Sequence, residues 1–100
     1  MTVLADQFLN LLRSLAADRP HHSRIVPSPL GGGEPAWVGR EAAALLAEIN
    51  AIRAAHGHRP VGVHVVRAAE HRTAVHHSGT AYDERYAARC AALANGADHA

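Results

Sequence analysis

A stripe of apolar residues at helical spacing runs through the middle of the chain and ends shortly before Gly57. Pro35 precedes the stripe and suits the first position of a helix, while Gly57 suits the residue just past a helix end. The spacing therefore predicts a helix over residues 35–56, about 33 Å long at a rise of 1.5 Å per residue. Its apolar face comprises Val38, Ala42, Leu45, Leu46, Ile49 and Ile52.

The N-terminal segment carries a second apolar stripe, which predicts an amphipathic helix over residues 2–18. Thr2 can cap this helix and Pro20 ends it. The stripe must be buried either against the chain's own domain or against a partner, and both destinations are open at this point. For the second, we expect a homodimer or larger assembly whose partner-binding residues are Leu4, Phe8, Leu11, Leu12 and Leu15.

The core of this 100-residue chain must be built from few large side chains, because 22 residues are alanine while Leu, Ile, Val and Phe together number 21. Alanine-rich helices can approach one another closely. However, the share of Leu, Ile, Val and Phe in this sequence is close to that of chains that stay disordered on their own. We therefore expect a single small domain that is helped by self-association or by a protein partner.

Residues 61–66 alternate like a strand, but their apolar positions also fit a helix face that continues to His77. A lone strand would leave its backbone groups unpaired, so the pattern favours a helix over residues 63–77. Thr80 and Asp83 form a helix-start signature for a last helix over residues 81–94. Its apolar stripe comprises Tyr82, Tyr86, Cys90 and Leu93.

The predicted fold class is all-α, a small bundle of about four helices at residues 2–18, 35–56, 63–77 and 81–94. Proline and glycine are frequent in residues 20–34, which predicts a loop that serves as a flexible linker. This organisation divides the chain into an N-terminal helix at 1–19, the linker, a three-helix domain at 35–94 and a flexible tail at 95–100.

Residues 37–93 contain a spaced pattern of polar, aromatic and small residues: Trp37, Asn50, Arg53, Gly57, Pro60, Glu70, His77, Ser78, Tyr82, Tyr86, Ala87, Cys90, Ala91 and Leu93. This pattern resembles that of small helical proteins of actinobacteria and their phages, for which no activity is assigned. Tyr86 stands where that pattern usually has Phe, and two extra residues separate Ser78 from Tyr82. The resemblance implies a three-helix C-terminal part and no particular chemistry.

The absence of lysine from the sequence excludes Schiff-base chemistry and phosphate-binding loops that require that residue. Cys90 is the single cysteine and lies on the apolar stripe of its helix, which predicts a buried, unreactive thiol. No apolar run reaches the roughly 18 residues of a membrane span, and the N-terminus does not read as a signal peptide. These features predict a soluble cytoplasmic protein.

The sequence contains nine histidines, which raise the hypothesis of a metal site. Such a site would make the protein a small metal-dependent enzyme. No two of them lie three or four residues apart, the spacing at which one helix presents two ligands to one ion. A site would have to be assembled across helices, for example from His58, His71 and His77. We expect no cofactor.

A mild basic band around the turn between the second and third helices raises a weak nucleic-acid-binding alternative, although the net charge is only +1. Its residues are Arg53, Arg59, Arg67 and Arg72. The sequence favours a different function, that of a non-catalytic protein–protein interaction module. The resemblance implies that this module is an accessory or assembly protein of a phage or mobile element.

Overall fold

The computed structural model describes residues 2–17, 23–26 and 36–100. The helices are α1 (Val3–Ala17), α2 (Arg40–Ala55), α3 (Val63–His76) and α4 (Gly79–Ala94), and two short strands, β1 (Ser23–Val26) and β2 (Ala36–Gly39), lie between α1 and α2. The helices pack on one another around a common core. The predicted small all-α bundle is therefore confirmed, with a two-stranded antiparallel ladder added to it.

The ladder corrects two details of the sequence interpretation. Ser23 pairs with Gly39 and Val26 with Ala36, so residues 23–26 form a strand where a flexible linker was expected. Residues 36–39 form the second strand, and α2 begins at Arg40 instead of residue 35. These residues form strands because the two segments pair with each other. The pairing satisfies backbone groups that a helix would satisfy through its own local hydrogen bonds. The remaining parts of the expected linker, 20–22 and 27–34, lie outside the described residues.

The N-terminal helix begins as its sequence predicts, since the backbone N–H of Ala5 donates to Thr2 Oγ1 at 3.1 Å. Its most extensive helix contact is with α4 of the same chain. Phe8, Leu12 and Leu15 of this helix are buried, and Leu4 and Leu11 pack on the edge of the core.

The stripe that the sequence predicts to bind a partner packs within its own chain. In this conformation Phe8, Leu12 and Leu15 are buried, whereas Leu4 and Leu11 are partly buried. The ordinary outcome for an amphipathic helix, burial on its own domain, is the one observed.

Alanine fills many of the interior positions between the helices, which explains how a chain with few large side chains forms a core. Large residues at the centre include Phe8, Leu45 and Ile49, all fully buried. Small side chains let the helix backbones approach closely and so leave less volume to fill. The buried alanines are Ala5, Ala42, Ala69, Ala87, Ala91 and Ala94.

The pattern of residues 61–66 fits both a strand and a helix, and the sequence favours a helix from residue 63. The structure confirms the helix, since α3 begins at Val63. The last helix starts at Gly79, earlier than predicted, with the Ser78 carbonyl accepting from the Tyr82 N–H. Thr80 therefore lies inside the first turn, and the expected capping by Thr80 and Asp83 is wrong because no side-chain cap hydrogen bond forms.

Gly57 and Gly96 follow α2 and α4 with φ of 77° and 113°, so both helices end in the conformation that favours glycine. Within the described ranges, no helix combines the length and the apolar character needed to cross a bilayer.

Leu12→Ala should lower the free energy of unfolding by about 2–5 kcal/mol, because it opens a cavity between α1 and α4. Ser14→Ala, on the exposed side of the same helix, should change it by no more than about 0.5 kcal/mol. Urea unfolding followed by circular dichroism measures both values, and light scattering gives the molecular mass. A Leu12 variant that keeps its stability but loses a dimer would show that α1 is an intermolecular element.

Candidate functional site

Two polar side chains on α2, one turn apart, hold the loop of residues 56–62 against the bundle. Asn50 Nδ2 donates to the Val61 carbonyl at 3.0 Å, and the Val61 N–H donates to Asn50 Oδ1 at 2.8 Å. This reciprocal pair satisfies both backbone groups of Val61, much as a neighbouring strand would. It fixes the position of the chain just before α3 begins.

Arg53, the next polar residue on that face, is buried at the meeting point of three chain segments. Its Nε donates to the Arg59 carbonyl at 2.7 Å. Its Nη1 donates to the carbonyls of Leu93 and Ala97, both at 2.8 Å. One guanidinium thus ties the end of α2 to the following loop and to the end of α4.

The position of Arg53 explains how a positive charge is tolerated inside so small a protein. It lies in the last turn of α2, and Leu93 is in the last turn of α4. Helix C-termini carry unsatisfied carbonyls and partial negative charge, and two of them meet here. Burial is therefore compensated by carbonyl acceptors and helix dipoles more than by a formal counter-ion.

Asp98 supplies the carboxylate nearest to the remaining terminal nitrogen of this guanidinium. Its Oδ1 lies 3.9 Å from Arg53 Nη2, too far for a hydrogen bond. The two side chains differ sharply in exposure, at 4% for Arg53 and 92% for Asp98. An ion pair with one partner so exposed contributes little free energy, so Nη2 keeps unused donor capacity.

A surface pocket of about 270 Å³ opens beside Arg53, between the 56–62 loop, the first turn of α3 and the segment after α4. We call it the Arg53 pocket. Apolar and charged groups share its wall. The lining residues are Arg53, Arg59, Pro60, Val61, Gly62, His64, Val65 and Asp98.

The imidazole of His64 folds back over Gly62 at the entrance of α3. A Cβ placed on Gly62 would lie 2.7 Å from His64 Nδ1, closer than real side-chain contacts allow. The missing side chain of Gly62 therefore leaves room for the ring, and the N-cap position itself carries no side-chain capping group.

The structure separates the members of the expected basic band. Arg53 is buried and donates to backbone carbonyls, so it does not belong to an exposed basic band. Arg59, Arg67 and Arg72 are exposed. Arg72 donates through Nη1 to the backbone oxygen of Ala100 and Arg59 lines the Arg53 pocket, so the band is divided between different contacts.

The histidines suggested as metal ligands do not form a group that could hold an ion within the described residues. His58 precedes α3 and His77 follows it, so a helix of 14 residues, about 21 Å long, lies between them. His71 is on the exposed side of that helix. Two further histidines, His21 and His22, lie outside the described residues.

The cysteine thiol is buried in the core, as its position on the α4 stripe predicts. Burial raises the pKa of Cys90 to about 12, with Glu41 adding to the effect. The thiol is consequently protonated at neutral pH and closed to substrates.

The two tyrosines on the α4 stripe differ in burial. Tyr82 is partly exposed, and burial, followed by the charges of Glu70, Glu41 and Asp83, raises its pKa to about 12. Tyr86 is fully buried, and its hydroxyl has no hydrogen-bond partner among the described residues. Burial therefore raises the pKa of Tyr86 strongly, so this hydroxyl is neither ionised nor solvated.

Sequence reasoning missed the clamp made by Asn50 and Arg53 and the roles of His64 and Asp98 around the pocket. The available signal was the three-residue separation of Asn50 and Arg53 on α2, which places both on one helix face. Pro60, which cannot donate a backbone hydrogen bond, marks the loop they hold.

Comparison of the chain with protein-family models, with curated proteins and with solved structures finds no match.

Arg53→Met should lower the free energy of unfolding by about 2–4 kcal/mol, because the carbonyls of Arg59 and Ala97 lose the donor observed here. Arg67→Met makes the same chemical change on the exposed face of α3 and should cost no more than about 0.5 kcal/mol. Urea midpoints of the two variants provide the comparison. Equal midpoints would contradict a structural role for Arg53.

Stability should decline as pH rises above about 9. The unfolded chain loses the Cys90 proton near pH 9 while the folded chain retains it up to about pH 12, so the unfolded state binds fewer protons over that interval. Urea midpoints at pH 7, 9 and 10 should fall in that order. Cys90→Ala should show a shallower decline between pH 8 and 10, and an unchanged slope would contradict the burial effect.

Proposed function

We propose that this protein is a non-catalytic helical module that binds another protein through the Arg53 pocket. The observation that carries the proposal is the composition of that pocket, in which a held guanidinium and an exposed one, Arg59, line an open concavity. A fixed charged group beside apolar wall residues is the arrangement by which binding sites orient a partner group.

The rest of the described surface offers little apolar area for a conventional hydrophobic interface. Among residues 2–16 and 39–100, the exposed large apolar side chains are Val3 on α1 and Val75 on α3. Single exposed valines are ordinary on soluble domains and do not form a patch. Recognition through a polar pocket therefore fits the described surface better than recognition through an apolar face.

The placement of the reactive groups supports a non-catalytic role. The thiol of Cys90 and the hydroxyl of Tyr86 are sealed in the core, and the pKa of each is raised by burial. A nucleophile must be ionisable near neutral pH and reachable by its substrate, and these groups meet neither requirement.

The biological role, the location and the kind of partner that we propose come from the sequence. The resemblance to small helical proteins of actinobacteria and their phages supports a role as an accessory or assembly protein of a phage or mobile element. We place this role in the cytoplasm, and the partner is either a different protein or a second copy of this chain.

The experiment that tests the proposal is affinity capture from a lysate of the native host with untagged, resin-coupled wild-type protein and two charge-reversed variants. Arg59→Glu should abolish retention of the partner, whereas Arg67→Glu, the same change away from the pocket, should retain it. The partner identified by mass spectrometry is then purified, and its binding to all three proteins is measured by calorimetry.

Equal binding to both variants would contradict the use of the pocket. Metal analysis of the untagged protein provides a second check, because a stoichiometric transition metal would favour the His-ligated enzyme instead. Nucleic acid as the retained species, released by salt, would favour the nucleic-acid-binding alternative.

A further inference from the structure

We propose that the Arg53 pocket binds a single carboxylate, that of an aspartate or glutamate side chain of the partner protein, and that Asp98 is a built-in competitor for the same guanidinium. The proposal rests on the proposed function and names the chemical group that the pocket recognises. It is carried by the contacts of Arg53, by the charges around the pocket and by its size.

The contacts of Arg53 leave it prepared for a ligand. Three of its N–H donations hold protein carbonyls, and these fix the guanidinium in place before any ligand arrives. Within the described ranges, the acceptor that approaches Nη2 is Asp98 Oδ1, and it is 3.9 Å away. A guanidinium that is already immobilised loses little side-chain entropy on binding, which favours recognition by this nitrogen.

The charges around the pocket fit a monoanion. Arg53 and Arg59 supply two positive charges and Asp98 one negative charge, which leaves one net positive charge in the wall. A carboxylate carries one negative charge and accepts hydrogen bonds through two oxygens, matching a guanidinium well. A phosphate would bring close to two negative charges into a site that already contains a carboxylate.

The first turn of α3 adds a smaller favourable contribution. Gly62 and His64 line the pocket at the start of this helix, where backbone N–H groups lack intrahelical partners. The N-terminal end of a helix favours negative charge, so it acts in the same direction as the two guanidiniums.

The size of the pocket distinguishes a side chain from a larger ligand. Its volume of about 270 Å³ is just below the range of roughly 300–1,000 Å³ typical of pockets for drug-sized molecules. A carboxylate on a short methylene stem fits such a space, and Pro60, Val61 and Val65 give the stem an apolar wall.

Asp98 is the carboxylate that approaches Arg53 Nη2 in the unbound protein, but this contact is weak. Its side chain remains largely in solvent, and its oxygen stays beyond hydrogen-bond distance of Nη2. A weak internal ion pair of this kind must be displaced when an external carboxylate binds. Removing the charge of Asp98 should therefore tighten binding, whereas loss of an ordinary structural ion pair would not.

The test is an NMR titration of the full chain with two blocked alanine pentapeptides, one with a central glutamate and one with a central glutamine. The amide signals of residues 62–65 should shift and saturate with the glutamate peptide only. Arg59→Gln should weaken that affinity about fivefold or more, since a hydrogen bond to a charged group is lost. Arg67→Gln, the matched control, should change it less than about twofold.

Asp98→Asn gives the result specific to competition, an affinity for the glutamate peptide about two- to fivefold higher. Acetate and inorganic phosphate are titrated in parallel, and both should bind more weakly than the peptide. Equal shifts with both peptides, equal effects of Arg59→Gln and Arg67→Gln, or unchanged or weakened binding in Asp98→Asn would each overturn the proposal.

Acetate or phosphate that binds as tightly as the glutamate peptide would also overturn it, in favour of a free anion. These outcomes are distinct from failure of the proposed function. A partner whose binding needs Arg59 while the glutamate peptide is ignored would refute the carboxylate assignment and leave the interaction module standing.

Discussion

The buried guanidinium of Arg53 is the interaction on which the end of the bundle depends. Three segments converge on it: the last turn of α2, the loop before α3 and, far away in sequence, the C-terminal end of α4. Without this donor the converging carbonyls would face one another, and helix C-termini repel when their dipoles meet unscreened. Arg53 therefore converts an unfavourable meeting of carbonyl groups into a fixed joint.

Such a polar joint has particular value in a chain whose core is rich in alanine. Small side chains bury less apolar area per residue than leucine or isoleucine, so each interior contact contributes less to folding. The reciprocal bonds between Asn50 and Val61 add directional order beside the joint. The N-terminal helix contributes Phe8 and Leu12 to the same core. This helix is therefore part of the folding unit and not a separate arm.

The four helices could be predicted from sequence because each carries its own periodic stripe, and the ends of α2 and α4 because glycine marks them. The ladder of β1 and β2 could not, since its pairing joins segments whose local patterns are short and ambiguous. The role of Arg53 was hidden for a related reason. An arginine in the last turn of a helix is ordinary surface decoration, and only the approach of Leu93 and Ala97 buries it.

The proposed site uses the same guanidinium that joins the three segments, and this links binding to folding. A ligand that binds only the folded chain stabilises it in proportion to its concentration relative to Kd. Because carbonyl contacts already hold Arg53, binding requires displacement of the solvent-exposed Asp98 carboxylate and little rearrangement of the backbone. Asp98 thereby lowers the affinity for an external carboxylate without weakening the joint, so the strength of binding can be set by a residue on which the fold does not depend.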